Sequence, residues 1–215
     1  MLFDSPATLK VGVVLGWYAV MILGLRTVRE EVMRFRLVGQ RPPEDMPSEL
    51  NYASLEEVDA YFDSAREELE LSTVFILIAS AEARLRVDAK ARIKVAHDPL
   101  SKRLSELYER VDLDWKVPLK EKGILDAWRY HIKWHSTAAE LEKRRAIDCL
   151  GKLKDTLALR HWLAHGRYWK INRSIKSYPP VTVAKLIQDL YRRLQFITDQ
   201  DGLPIFNPNE PAQSL

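Results

Sequence analysis

Cysteine is almost absent: the chain of 215 residues holds one, Cys149. A disulfide framework and a multi-cysteine zinc site are thereby excluded, and the usage suits a reducing cytoplasm. Glycine is scarce as well, eight residues against eleven prolines. No phosphate-binding glycine loop, Rossmann fingerprint or nucleophile elbow is present. No stretch alternates apolar and polar residues as a half-buried strand would, and no repeat or low-complexity tract is visible. The long charge-free run, Val11–Leu25, covers fifteen residues between Lys10 and Arg26. A bilayer span takes about 20, and no small-residue cleavage pattern follows. The run is therefore expected to be a buried or dimer-facing helix in a cytoplasmic protein and not a signal peptide, with a membrane anchor as the lesser alternative.

What is present suits a soluble globular chain: 47% apolar residues, 29% charged and a formal net charge of +3. The charge is unevenly placed. Glu44 to Glu70 holds ten acidic residues and one basic one, Arg66. Thr156 to Gln188 holds no Asp or Glu, yet carries Arg160, Arg167, Lys170, Arg173, Lys176 and Lys185 among Trp162, Tyr168, Trp169 and Tyr178. A basic, aromatic, acid-free stretch suits a polyphosphate ligand. Arg167, Tyr168, Trp169, Lys170 and Arg173 are the candidates to bind it; on charge alone, a solvated basic face is the commoner reading.

Periodicity predicts an all-α bundle of about five to six helices, in one domain over residues 1–215. A first helix should run from about Ala7 to Phe35, closed by Gly39 and Arg41-Pro42-Pro43. Ser54 and Glu57 form a capping box for a very long second helix reaching toward Ile93. Asp98-Pro99 opens a third, with Leu100, Leu104 and Leu107 at helical spacing. Ile124 to Trp134 makes a fourth. From Thr137, the stripe Ala146, Leu150, Leu153, Leu157 and Ala164 marks a long fifth helix with Gly166 as its C′ residue. Val183 to Ile197 makes the last, before a tail at 199–215.

The segment with chemistry in it is Arg160-His161-Trp162-Leu163-Ala164-His165-Gly166. A helix turns about 100° per residue, so His161 and His165 stack on one face. Arg160 and His161 border the apolar stripe, and His165 falls at the helix C-terminus, where the dipole favours a cation. Histidine can act as acid or base near neutral pH; arginine offers a planar fork of donors for phosphate oxygens. The set fits RNA cleavage by the 2′-hydroxyl: a base for that proton, an acid for the leaving 5′-oxygen, a cation for the phosphate; from chemistry alone, an arginine and two histidines on a helix are more often structural. No metal or other cofactor is required, and the segment offers no carboxylates to hold Mg²⁺.

Arg160-x4-His165, with polar His161 after the arginine and Gly166 after the histidine, resembles the R-x4–6-H signature of HEPN domains, the higher eukaryote and prokaryote nucleotide-binding superfamily. Ile78-Ala79-Ser80-Ala81-Glu82-Ala83-Arg84-Leu85-Arg86 is similar to the family's long second helix. Asp98-Pro99-Leu100-Ser101-Lys102 through Leu125-Asp126-Ala127-Trp128 resembles its middle region. The resemblance spans roughly Leu55 to Ile197 and implies a HEPN core over residues 54–198, preceded by an apolar helix in residues 1–40. It implies a metal-independent endoribonuclease of a toxin–antitoxin pair or phage-defence system, with Arg160 and His165 as catalytic pair and His161 in the polar slot. It also implies a homodimer with two signature helices facing one cleft, and an antitoxin as further partner. Glu82 is a secondary candidate for orienting the site; its plain alternative is an ion pair with a nearby arginine. Some members carry R-x4–6-H-x-Y, but here Arg167 takes the middle place and Tyr168 comes one late, so control through that tyrosine is not expected. The family also has non-catalytic modules that bind nucleic acid or a partner; retention of Arg160 and His165 argues for catalysis. Each subunit of the dimer would supply its Ala146–Leu157 stripe, ending in the basic set near a two-fold axis.

Other candidates are weaker. His131 and His135 have the i,i+4 spacing of a zinc pair but lack a third ligand. His97 reads as a loop or cap residue, Cys149 as a buried thiol, and Trp128 and Trp134 as core.

Overall fold

A computed structural model describes residues 10–40, 46–95, 97–111, 113, 116–166 and 178–198. Among these it holds six α-helices and no strand: α1 Val11–Leu37, α2 Leu55–Val95, α3 Pro99–Tyr108, α4 Ile124–Trp134, α5 Glu140–Ala164 and α6 Pro180–Arg193. A short 3₁₀ turn over Ser48–Asn51, which no sequence pattern signalled, leads into α2.

The helix ends lie close to where local chemistry puts them. Gly39 adopts φ +70° and ends α1 in a Schellman motif, its amide bonding Arg36 O and the Gln40 amide bonding Phe35 O. The Ser54 amide donates to Glu57 Oε2 at 2.7 Å and the Glu57 amide to Ser54 Oγ at 3.2 Å, so the capping box of α2 is closed. Asp98 Oδ1 accepts from the Leu100 and Ser101 amides at 2.8 and 3.0 Å and starts α3.

One core joins the helices. Leu77, Ile78, Ala81 and Leu85 of α2 pack with Leu100 and Leu104 of α3, Leu125 and Trp128 of α4, Leu150 and Leu153 of α5, and Ile187 and Leu190 of α6. Apolar burial of this kind stabilises by about 1.5–3 kcal/mol for each large side chain. The stripe Ala146, Leu150, Leu153 and Leu157 is buried inside its own chain, so it has no apolar surface to give a second copy. Ala164, expected to continue the stripe, is exposed. Cys149 is buried on α5 and its thiol is pushed up by burial.

Two expectations are corrected and a third, for the Val11–Leu25 run, is narrowed to its second alternative. The last helix stops at Arg193 instead of Ile197, because the next residues bond to α2. Gln195 O and Thr198 O accept from Arg92 and Arg84, and the Ile197 amide donates to Asp88 Oδ1 at 2.7 Å. Trp134 is 63% exposed at the end of α4, whereas Trp128 is in the core beneath the Arg92 guanidinium. The Val11–Leu25 run is not buried: Val11 and Val14 reach the core, while Trp17, Val20, Met21 and Leu23 face outward. One side of α1 lies along α2, where Tyr18 Oη reaches Glu70 at 3.4 Å and Arg29 pairs with Asp59 at 2.5 Å. By length and composition alone α1 is able to cross a membrane. A second, smaller apolar cluster joins Val32 to Leu50, Val58 and Phe62.

Candidate functional site

α5 delivers the signature residues at its C-terminal end. Gly166, with φ +76°, stops the helix; its amide bonds Leu163 O at 3.4 Å while the His165 amide bonds His161 O at 3.1 Å. The helical period stacks His161 and His165 with ring centroids 4.3 Å apart and planes inclined by 60°. Both imidazoles are exposed. Arg160 turns inward beside them: its side chain is 35% exposed, its Nε lies 3.6 Å from Glu82 Oε2, and its guanidinium carbon is 5.9 Å from the Phe75 ring centre.

Glu82 carries both roles set out for it. Its side chain is 16% exposed and its Oε1 accepts from Arg86 Nε at 3.1 Å, the ordinary i,i+4 ion pair of a helix. The same carboxylate reaches across from α2 to Arg160 on α5. Arg86 in turn donates to Val117 O at 2.9 Å. A continuous polar link thus runs from Arg160 through Glu82 and Arg86 to the loop before α4.

That loop forms the far wall of a cleft of about 360 Å³, lined by Glu82, Pro118, Leu119, Lys120, Glu121, Leu157, Arg160 and His161. Its path is fixed. The Ile124 and Leu125 amides, which open α4, donate to Pro118 O and Leu119 O at 2.9 and 3.0 Å. Gly123 presses on the same turn so closely that a Cβ there would lie 2.0 Å from Pro118 O. Lys120 is held below the ordinary lysine range by burial first and by the neighbouring Lys154 second, with Glu121, Asp155 and Glu82 opposing.

The structure brings Arg160, His161 and Glu82 to one cleft, with the His165 ring tilted against His161 outside the lining. It also shows that the acid-free segment does not make an acid-free cleft, because Glu82 and Glu121 enter from other elements. Lys120 escaped the sequence reading: it lies in an irregular stretch with no periodic signal. Arg167, Tyr168, Trp169, Lys170 and Arg173 lie outside the described residues. His131 and His135 stack with centroids 6.1 Å apart, and among the described residues no three His, Cys, Asp or Glu side chains gather as metal ligands would. Chemically the cleft offers a cation held in place by a carboxylate, with two imidazoles at its edge able to exchange protons with a bound group. No family model, curated protein or solved structure matches the chain.

Proposed function

We propose that the protein is a HEPN-type endoribonuclease that cleaves RNA without a metal ion. The observation that carries this reading is the grouping of Arg160 with His161 and His165 at the open end of α5, on the rim of a cleft. Arg160 takes the phosphate, and its contact with Glu82 keeps the guanidinium from swinging into solvent. One imidazole accepts the 2′-hydroxyl proton as that oxygen attacks phosphorus; an imidazolium gives a proton to the departing 5′-oxygen. The products are a 2′,3′-cyclic phosphate and a 5′-hydroxyl.

One histidine cannot readily take and give a proton in the same step, so the reading includes a homodimer in which each subunit offers His165 to a shared phosphate. Since the apolar stripe of α5 is buried in its own chain, the pairing would use the polar end of the helix. The test is cleavage of single-stranded RNA in EDTA, with sedimentation in parallel. Cleavage with the stated ends, by a particle near twice the chain mass of 24.9 kDa, supports the reading. RNA binding without turnover would make the protein a non-catalytic binding module.

A further inference from the structure

The far wall of the cleft holds a cation that the mechanism above does not use. Lys120 stands on the loop facing α5 and lines the cleft together with Arg160 and His161. Among the described residues no carboxylate comes within ion-pair distance of its ammonium, although three lie near enough to be felt. Glu82 is engaged by Arg86 and Arg160, and Glu121 is shared with Lys154 at 3.9 Å. Asp155 draws on it as well, but only at a distance, so the partly buried ammonium, repelled by Lys154, has no carboxylate directly on it and leaves room for a bound anion to make that contact.

The loop's construction argues that this placement is built. Arg86 fastens Val117 O, the first turn of α4 fastens Pro118 O and Leu119 O, and Gly123 closes the turn against Pro118. The same Glu82 that holds Arg160 holds Arg86, so the two walls are set relative to each other through one carboxylate. Along α5, Lys154 sits two turns before His161 on the same face, so positive charge continues away from the histidines. Two helical turns rise about 11 Å, enough to run beside more than one phosphodiester of an extended strand.

We propose that Lys120 forms a second phosphate subsite, holding the phosphodiester next to the one placed on Arg160, and so fixes the register of the strand in the cleft. This rests on the ribonuclease reading for its ligand, a single-stranded oligoribonucleotide. The test is binding of a fully 2′-O-methylated oligoribonucleotide, which has no free 2′-hydroxyl to react, by wild type, Lys120→Gln, Lys120→Arg and Lys122→Gln across a salt series. Lys122 is exposed on the same loop and outside the cleft lining. Removing one cation from a phosphate should lower the slope of log affinity against log salt by about 0.7 for a single strand. Lys120→Gln should show that reduction, Lys120→Arg should keep the wild-type slope, and Lys122→Gln should keep it too. Equal slopes for wild type and Lys120→Gln, or equal reductions for Lys120→Gln and Lys122→Gln, would overturn the subsite. Cleavage of unmodified RNA is followed alongside. Cleavage with an unaffected slope removes the subsite and keeps the ribonuclease; Lys120-dependent binding without cleavage keeps the subsite and removes the ribonuclease. No binding by wild type removes the subsite.

Discussion

Glu82 of α2 and Arg160 of α5 face each other across the cleft at 3.6 Å. Neither helix places its residue there alone: α2 and α5 must pack into one core, to which Ile78 and Leu153 both belong, for the carboxylate to reach the guanidinium. The partly buried pair orients Arg160 and costs it some free charge, and the second arm of Glu82 on Arg86 shares that cost. Glu82 is thus a positioning residue in the proposed chemistry.

Replacing His165 by alanine should lower RNA cleavage by about 10²–10⁴-fold, the loss expected for a general acid or base, and replacing Arg160, the phosphate-holding cation, by about 10²–10³-fold. Helical circular dichroism should be unchanged for His165→Ala, whose side chain is exposed at the end of α5, and is recorded for Arg160→Ala, which also gives up the contact with Glu82. His161→Ala should be milder if that ring only orients the site. Glu82→Gln, which keeps the shape and removes the charge, should cost about tenfold in kcat, as the cation loses its fixed position. A folded His165→Ala protein that cleaves like wild type would refute the assignment.

Cleavage should persist in excess EDTA, spare DNA and leave cyclic or 3′-phosphate ends, since the attacking oxygen belongs to the substrate. Mass spectrometry of the fragments reads this directly. A 3′-hydroxyl end or strict Mg²⁺ dependence would mean that water, activated differently, is the nucleophile.

The Asp88–Arg92 pair, at 2.8 Å with side chains 0% and 7% exposed, should be a main stability element. Burial raises the Asp88 carboxyl, while Arg92, Ile197 and Arg84 oppose the rise. Asp88→Ala leaves Arg92 buried beside an empty space and should destabilise by about 3–5 kcal/mol. Urea denaturation measures the effect. Amide exchange at Ile197, whose N–H bonds Asp88, should speed up even in variants that remain folded.

His131 gives a pH signature. Burial first, then Arg92 and His135, holds its imidazole below 6.5, with Asp98 opposing. The unfolded chain therefore binds that proton more tightly than the folded one. The stabilising contribution is present above the unfolded value and diminishes as pH falls through the folded one. The urea midpoint should drop as pH falls below about 6.5, and His131→Gln should flatten that drop. Parallel curves for the two proteins would place the dependence on other groups.

Local signals were legible where the partner was local. Ser54 and Glu57, Asp98 with Pro99, and Gly39 and Gly166 each act within four residues, so spacing alone exposes them. The network of Arg84, Asp88 and Arg92 was not legible, since its partners at 195–198 lie more than a hundred residues away along the chain. On paper those residues read as ordinary charges on a helix face. The Val11–Leu25 run left two places open, interior or interface, because apolar content reports a dislike of water and nothing about which surface relieves it. The catalytic candidates on α5 could be grouped by helical period, whereas Lys120 needed the loop's tertiary path to reach them.

The turn at Gly123 leaves little freedom to the backbone of the far wall and much to its side chains. A Cβ there would collide with the Pro118 carbonyl, so related chains that keep this cleft should be glycine at that point. Lys120 and Glu121, three and two residues earlier, carry no such restriction. The charge on that wall can therefore drift, or be redesigned, while its shape stays constant. Charge becomes separable from fold: exchange of one or two side chains on an unchanging turn would change the cleft's charge without changing its shape.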